Sequence, residues 1–200
     1  MRRATRWKGL LRWKGLRRDK EAPQDPLNAA LRMLARRPYS LAEMRRALER
    51  KFPDSDQVRT AIARLRELHY LDDKKFAEQY ASSLVRNRAF GRQRIRRELK
   101  AKLVDYRQID PALSQAFEET SEHALLEQTL DKKLRTLRLP LTRAKLATLC
   151  QGLLRRGFRP GDVLKAVRAR PELRPVAEEA EPLGDVLLEE QESDGAPEGR

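Results

Sequence analysis

The sequence predicts an all-α protein made of three tandem three-helix repeats in an elongated, curved array, and three observations carry that prediction. Ala, Leu, Arg, Glu and Lys dominate a chain of 200 residues that is 37% charged and only 6% aromatic, a helix-forming composition without an alternating strand segment. Its apolar residues recur at three- and four-residue spacing, the period of a helix with one buried face. The pattern also repeats at long range. Met44, Leu48, Val58 and Ile62 recur 51 residues later as Ile95, Leu99, Ile109 and Leu113, and these recur 54 residues later as Leu149, Leu153, Val163 and Val167.

Residues 1–26 form a basic arm ahead of the repeats. The arm holds RWKGL twice, from Arg6 and from Arg12, so Trp7 and Trp13 sit among cations. Their rings can stack on bases while Arg6 and Arg12 meet phosphates, although a short duplication in a disordered arm explains the pattern equally well. The first repeat takes residues 27–68. Leu27, Leu31 and Leu34 share a face of its first helix, which Arg36-Arg37-Pro38 ends. Ser40 and Glu43 make a capping box for a second helix carrying Leu41, Met44 and Leu48. After Phe52-Pro53, Asp54 or Ser55 caps a third helix with Val58, Ile62 and Leu65 inward.

The second repeat takes residues 69–120. Asp72-Asp73 opens a helix whose Phe76, Ala77, Tyr80, Ala81 and Leu84 form one apolar face, and Gly91 stops the pattern. On the next helix Ile95, Leu99 and Leu103 share one side; Arg96, Arg97 and Lys100 fall on the other, with Arg94 near its edge. The last helix has two solutions: a cap at Asp110 with Pro111 in the first position, or an earlier start near Asp105 with a kink. The third repeat takes residues 121–171, with Leu125, Leu126, Leu130 and Leu134 inward and a break at Pro140. Thr142 caps its middle helix, Gly157 ends it, and Pro160 to Arg168 supplies the last. Residues 172–200 are acidic, bear prolines, and read as a disordered tail.

Net charge is +14. Residues 1–18 contribute +8 and residues 172–200 contribute −8, so the two ends cancel and the basic character belongs to the folded middle. Such a chain is drawn to polyanions, which makes nucleic acid, or a protein bound to it, the default partner. The one cysteine, Cys150, sits on a Leu-rich helix face as a small core hydrophobe and agrees with a reducing, cytoplasmic setting. No stretch has the apolar length of a membrane span, and a monomer is expected.

Nothing in the sequence reads as catalytic. His69 and His123 lie far apart without metal-spaced neighbours, Asp72-Asp73 reads as a cap, and the glycines match no phosphate-binding loop. The expectation is no enzyme, no cofactor and no metal. His69, at a helix end, reads as a partly buried structural residue. What stands out is the cluster Arg86, Arg88, Arg92, Arg94, Arg96, Arg97 and Lys100, opposed only by Glu98. A solvated helix face is the plain reading, with Arg94 and Glu98 as an ordinary i,i+4 pair. The excess of one sign, and of Arg over Lys, favours a surface for a partner or nucleic acid.

Leu71-Asp72-Asp73 followed by Phe76-Ala77, Arg86, Gly91, Arg94-Ile95 and Glu98-Leu99 resembles the central signature of the RecX family of bacterial recombination regulators. Ser40-Leu41 to Leu48 and Leu154 to Phe158 resemble its flanking repeats, so the resemblance covers Leu27 to Arg170. One departure is Leu103-Val104, where the family often has a glycine after the middle helix of the central unit. The resemblance implies three tandem three-helix repeats that bind the RecA recombinase and its nucleoprotein filament; the charge adds single- or double-stranded DNA as a partner of the basic surfaces. The resemblance also implies restraint of ATP hydrolysis, strand exchange and co-protease action without catalysis. The alternatives are a helix-turn-helix transcriptional regulator reading the major groove with Arg94 to Arg97, and a DNA-compacting protein.

Overall fold

The structure, a computed structural model, describes residues 25–138 and 141–173; the arm with Arg6, Trp7, Arg12 and Trp13, Pro140, and the acidic tail from Arg174 lie outside them. The described residues form nine α-helices and no strand. Unit 1 holds α1 (Pro26–Leu34), α2 (Leu41–Glu49) and α3 (Ser55–Glu67). Unit 2 holds α4 (Asp73–Arg88), α5 (Arg92–Ala101) and α6 (Tyr106–Ala116), and unit 3 holds α7 (Glu122–Leu134), α8 (Arg143–Arg155) and α9 (Pro160–Arg168). The caps are local chemistry: Asp25, Ser40, Asp54, Asp72, Ser121 and Thr142 each accept from a first-turn N–H, satisfying donors that the helix leaves over.

All twelve positions related by the offsets of 51 and 54 residues are buried, none more than 5% exposed. They do not build one core. Ala30, Met44, Leu48, Phe52, Val58, Ile62, Leu65 and Leu71 close a core within unit 1, whereas the core of unit 2 runs on from Phe76 and Leu99 through Phe117 into Leu126, Leu153 and Val163 of unit 3. Cys150 lies in this second core, and burial pushes its thiol up to about 11. Among the described residues no helix is long and apolar enough to cross a membrane.

The structure refines or decides several local expectations and corrects others. In α1 the small Ala30 lies innermost, and Leu27, Leu31 and Leu34 flank it half-buried, because α3 packs close. Helix α6 starts at the Asp105 cap and keeps Pro111 inside, so the carbonyl of Arg107 lacks its helical donor. Helix α4 ends at Ala89, in the left-handed region with φ 50; Gly91, at φ −78, is the N-cap of α5. Helix α7 ends at Leu134, ahead of the expected break at Pro140, and Leu134 is only partly buried. His69 is exposed, with φ 56, and His123 is exposed as well.

Leu103 does not continue the inward face of α5. It takes φ 59, the left-handed position where a glycine is usual, and Val104 fills the core in its place, 6% exposed. The turn closes with Leu103 N–H donating to the Lys100 carbonyl at 2.8 Å and Val104 N–H to the Leu99 carbonyl at 3.2 Å. Gly157 ends α8 in the same way at φ 89.

Candidate nucleic-acid interface

The joints between units decide which of the clustered cations are tied up and which are offered. Both joints follow one pattern. The N-cap of a middle helix meets the C-cap carbonyl of the next unit's middle helix, and the N–H of its first residue meets a carboxylate on the first residue of the next unit's first helix. At the joint of units 1 and 2, the hydroxyl of buried Ser40 donates to the Lys102 carbonyl and also accepts from Glu43 N–H, while Leu41 N–H donates to Asp73 Oδ1 at 2.7 Å. At the joint of units 2 and 3, Gly91 N–H donates to the Arg156 carbonyl at 2.8 Å and Arg92 N–H to Glu122 Oε1 at 2.8 Å.

The chemistry filling that pattern differs. At the first joint side chains do the bridging: Glu43 holds Arg37 at 2.9 Å and Lys102 at 3.2 Å. Burial pushes the Glu43 carboxyl up, but hydrogen bonds from Arg37 and Lys102 outweigh it and hold the group below its ordinary range. Asp73 moves the other way, raised chiefly by burial and further by Asp72 and Asp105. An open cleft of ≈ 710 Å³ lies here, lined by Leu41, His69, Asp72, Asp73 and Asp105 among others. At the second joint the backbones themselves touch. A Cβ on Gly91 would lie 2.4 Å from the Gly157 carbonyl oxygen, and one on Gly157 would lie 2.2 Å from Arg94 N.

This geometry sorts the predicted site residues. Arg92 reaches across the second joint to Glu122 at 3.5 Å and lies over the Phe117 ring. Arg94 pairs with Glu98 at 2.7 Å and lies over Phe90, and Arg96 pairs with Asp110 on α6 at 2.6 Å. These three are therefore partners inside the fold. Arg86, Arg88, Arg97 and Lys100 are exposed. Arg86, Arg88 and Lys100 have no ion-pair partner among the described residues, and Arg97 has an interaction of its own.

Cations from unit 3 join them. Arg156 Nη1 donates to the Arg88 carbonyl at 2.6 Å, so the C-terminal ends of α4 and α8 meet here, the one carrying exposed Arg86 and Arg88 and the other leading through exposed Arg155 to exposed Arg159. Sequence reasoning missed this, since it confined the cluster to one unit; the Arg155-Arg156-Gly157 run next to a helix end was the available signal. Among the described residues no group of three or more His, Cys, Asp or Glu side chains is placed to hold a metal ion.

Compared with known proteins, residues 27–65 match the family model described as RecX, first three-helix domain, and residues 72–113 match RecX, second three-helix domain. The regulatory protein RecX of Chlorobaculum tepidum is 36% identical over 119 residues, covering 60% of this chain and 72% of the relative. That of Streptomyces coelicolor is 30% identical over 169 residues, covering 82% and 88%. The crystal structure of RecX from Lactobacillus salivarius shares the fold at a TM-score of 0.60, with 21% identity over 72% of this chain and 93% of that one. With its three-helix units, their register and these matches in agreement, the chain belongs to the RecX family of regulatory proteins.

Proposed function

We propose that this chain binds the RecA recombinase and its nucleoprotein filament, and restrains ATP hydrolysis, strand exchange and co-protease action during DNA repair. It works as a binding protein, as a monomer in the cytoplasm, and catalyses nothing itself. Membership of a family whose curated members are named regulatory proteins is the observation that carries this reading. The exposed cations of α4 and α5 supply the physical means, since a polyanionic filament attracts them at long range and salt weakens the attraction. Regulation follows if the chain binds one state of the filament better than another, because only a difference in affinity moves the balance between states.

The test is RecA-dependent ATP hydrolysis on single-stranded DNA with and without the protein. Addition should slow hydrolysis, and replacing Arg86, Arg88 and Lys100 with Gln should remove most of that effect while leaving the helical circular-dichroism signal and the melting midpoint intact. An unchanged hydrolysis rate on adding the parent protein would overturn the proposal. The transcription-regulator alternative gains no support from the fold, because Arg94 and Arg96, two of the side chains meant to read bases, are engaged by Glu98 and Asp110.

A further inference from the structure

Four exposed arginines from two units lie at the helix ends that meet in the second joint, with no ion-pair partner among the described residues. Arg86 and Arg88 belong to the last turn of α4, Arg155 to the last residue of α8, and Arg159 to the N-cap of α9. The joint that carries them is close-packed for a chemical reason. Gly91 and Gly157 let the backbones meet, so that Gly91 N–H reaches the Arg156 carbonyl at 2.8 Å and Gln93 N–H reaches the Gly157 carbonyl at 3.3 Å. Arg156 then ties its guanidinium to the Arg88 carbonyl.

A structural explanation is available for some of these charges, since cations at a helix C-terminus complement its dipole. It accounts for Arg156, which is bonded to a helix-end carbonyl, but not for the rest. That role needs one cation for each helix end, and the long exposed side chains of Arg86, Arg155 and Arg159 touch no acid among the described residues. The nearby carboxylates are already engaged: Glu98 by Arg94 and Glu122 by Arg92. Asp162, in the first turn of α9, is the remaining acid close by in sequence. A surface of one sign, made mostly of arginine and set at a close-packed joint, suits a row of phosphates, each of which accepts a forked guanidinium.

We infer that the joint of units 2 and 3 is a composite binding surface for the phosphodiester backbone of DNA, with Arg155 and Arg159 of unit 3 completing the contact begun by Arg86 and Arg88. It deepens the reading of this protein as a regulator of a nucleoprotein filament by assigning the nucleic-acid side of that contact. It makes no demand on the recombinase, so it can be tested without one.

The experiment measures binding of the full chain to fluorescein-labelled 30-nucleotide single strands and 30-base-pair duplexes by anisotropy across a salt series. Arg155→Gln with Arg159→Gln should weaken binding at least about tenfold at low salt and flatten the plot of log affinity against log salt by about 1.5 to 2 on duplex, as expected for two lost phosphate contacts. Arg86→Gln with Arg88→Gln should do the same, and Arg155→Lys with Arg159→Lys should restore the slope, which a folding defect would not. Arg143→Gln with Lys145→Gln, at the opposite end of α8, is the control for diffuse charge. The inference is overturned if the Arg155 and Arg159 variant keeps the parent affinity and slope, or if the control loses as much. Slowing of RecA-dependent hydrolysis is scored separately, so either reading can fail while the other stands.

Discussion

The two joints obey one pattern with different materials, and the difference shows what fuses units and what merely tethers them. At units 2 and 3 the contact is backbone on backbone, cleared by Gly91 and Gly157, and the hydrophobic core continues across it. At units 1 and 2 the same pattern is met by the hydroxyl of Ser40 and the carboxylates of Glu43 and Asp73, beside an open cleft, and unit 1 keeps a core of its own. Side chains that reach across a gap hold their partners at a distance, and the apolar residues behind them close on themselves. Removing every Cβ brings the helix ends near enough for the cores to merge.

The largest expected effect therefore falls on Gly157. Gly157→Ala places a methyl against the backbone of Arg94 and puts a Cβ at φ 89, so overpacking and left-handed strain add to about 3 kcal/mol or more. Denaturant unfolding would measure it, and a loss under about 1 kcal/mol would mean that the second joint yields easily and the contrast fails.

Ser40→Ala comes next. It removes a helix cap and leaves the Lys102 carbonyl without its donor, at a cost of about 1 to 3 kcal/mol. Hydrogen exchange should quicken in unit 1 and leave α8 and α9 protected. Equal quickening throughout would show that the whole chain unfolds as one body and that the joints do not differ in cooperativity.

A smaller effect follows from acid. The Glu43 pKa lies below its ordinary 4.5 in the folded chain, so its contribution is present above that value and fades as pH falls through the depressed folded pKa. Asp73 has the opposite sign: raised above 3.8, it favours the joint when neutral, and that contribution is lost as pH rises through its folded value. Glu43→Gln should accordingly lower stability by about 1 kcal/mol or less near neutrality, and the gap to the parent should close as pH falls through the depressed folded pKa. Thermal unfolding at several pH values would reveal it, and a gap that stayed constant with pH would remove Glu43 from the joint.

The smallest effect is expected at Leu103. Leu103→Gly relieves about 1 kcal/mol of left-handed strain and gives back about as much in chain entropy, leaving the melting midpoint nearly unchanged. A clear loss would show that the partly buried side chain of Leu103 packs usefully at the first joint.

Much of the fold could be read directly from the residues because its determinants are local. Ser40, Asp72, Ser121 and Thr142 announce helix starts within three residues of the N–H groups they cap, and the buried positions keep their register. Conformations that defy local preference could not be read: Ala89, His69 and Leu103 adopt φ > 0, which nothing in their own side chains announces, and of the two places open to Pro111 only the observed Asp105 cap decides for the helix interior. The candidate interface divides along the same line. Arg86, Arg88 and Lys100 were visible as cations on a run of one sign. That Arg96 meets Asp110, 14 residues away, depends on how α5 and α6 pack within unit 2, and that Arg92 meets Glu122, 30 residues away, depends on how the units stack. So does the arrival of Arg155 and Arg159 from another unit.

The joint pattern also behaves like a step in a polymerisation. Each addition uses an acidic first residue on the incoming helix pair, Asp73 for the second unit and Glu122 for the third. Unit 1 has Pro26 at the corresponding place, with no carboxylate to offer, and the Asp25 carboxylate already accepts from Leu27 and Asn28. A second copy brought head-to-tail against the N-terminal end of α8 would present that proline where the pattern has an acid. The first unit therefore cannot repeat, from its own first helical residue, the carboxylate contact by which the second and third units are joined.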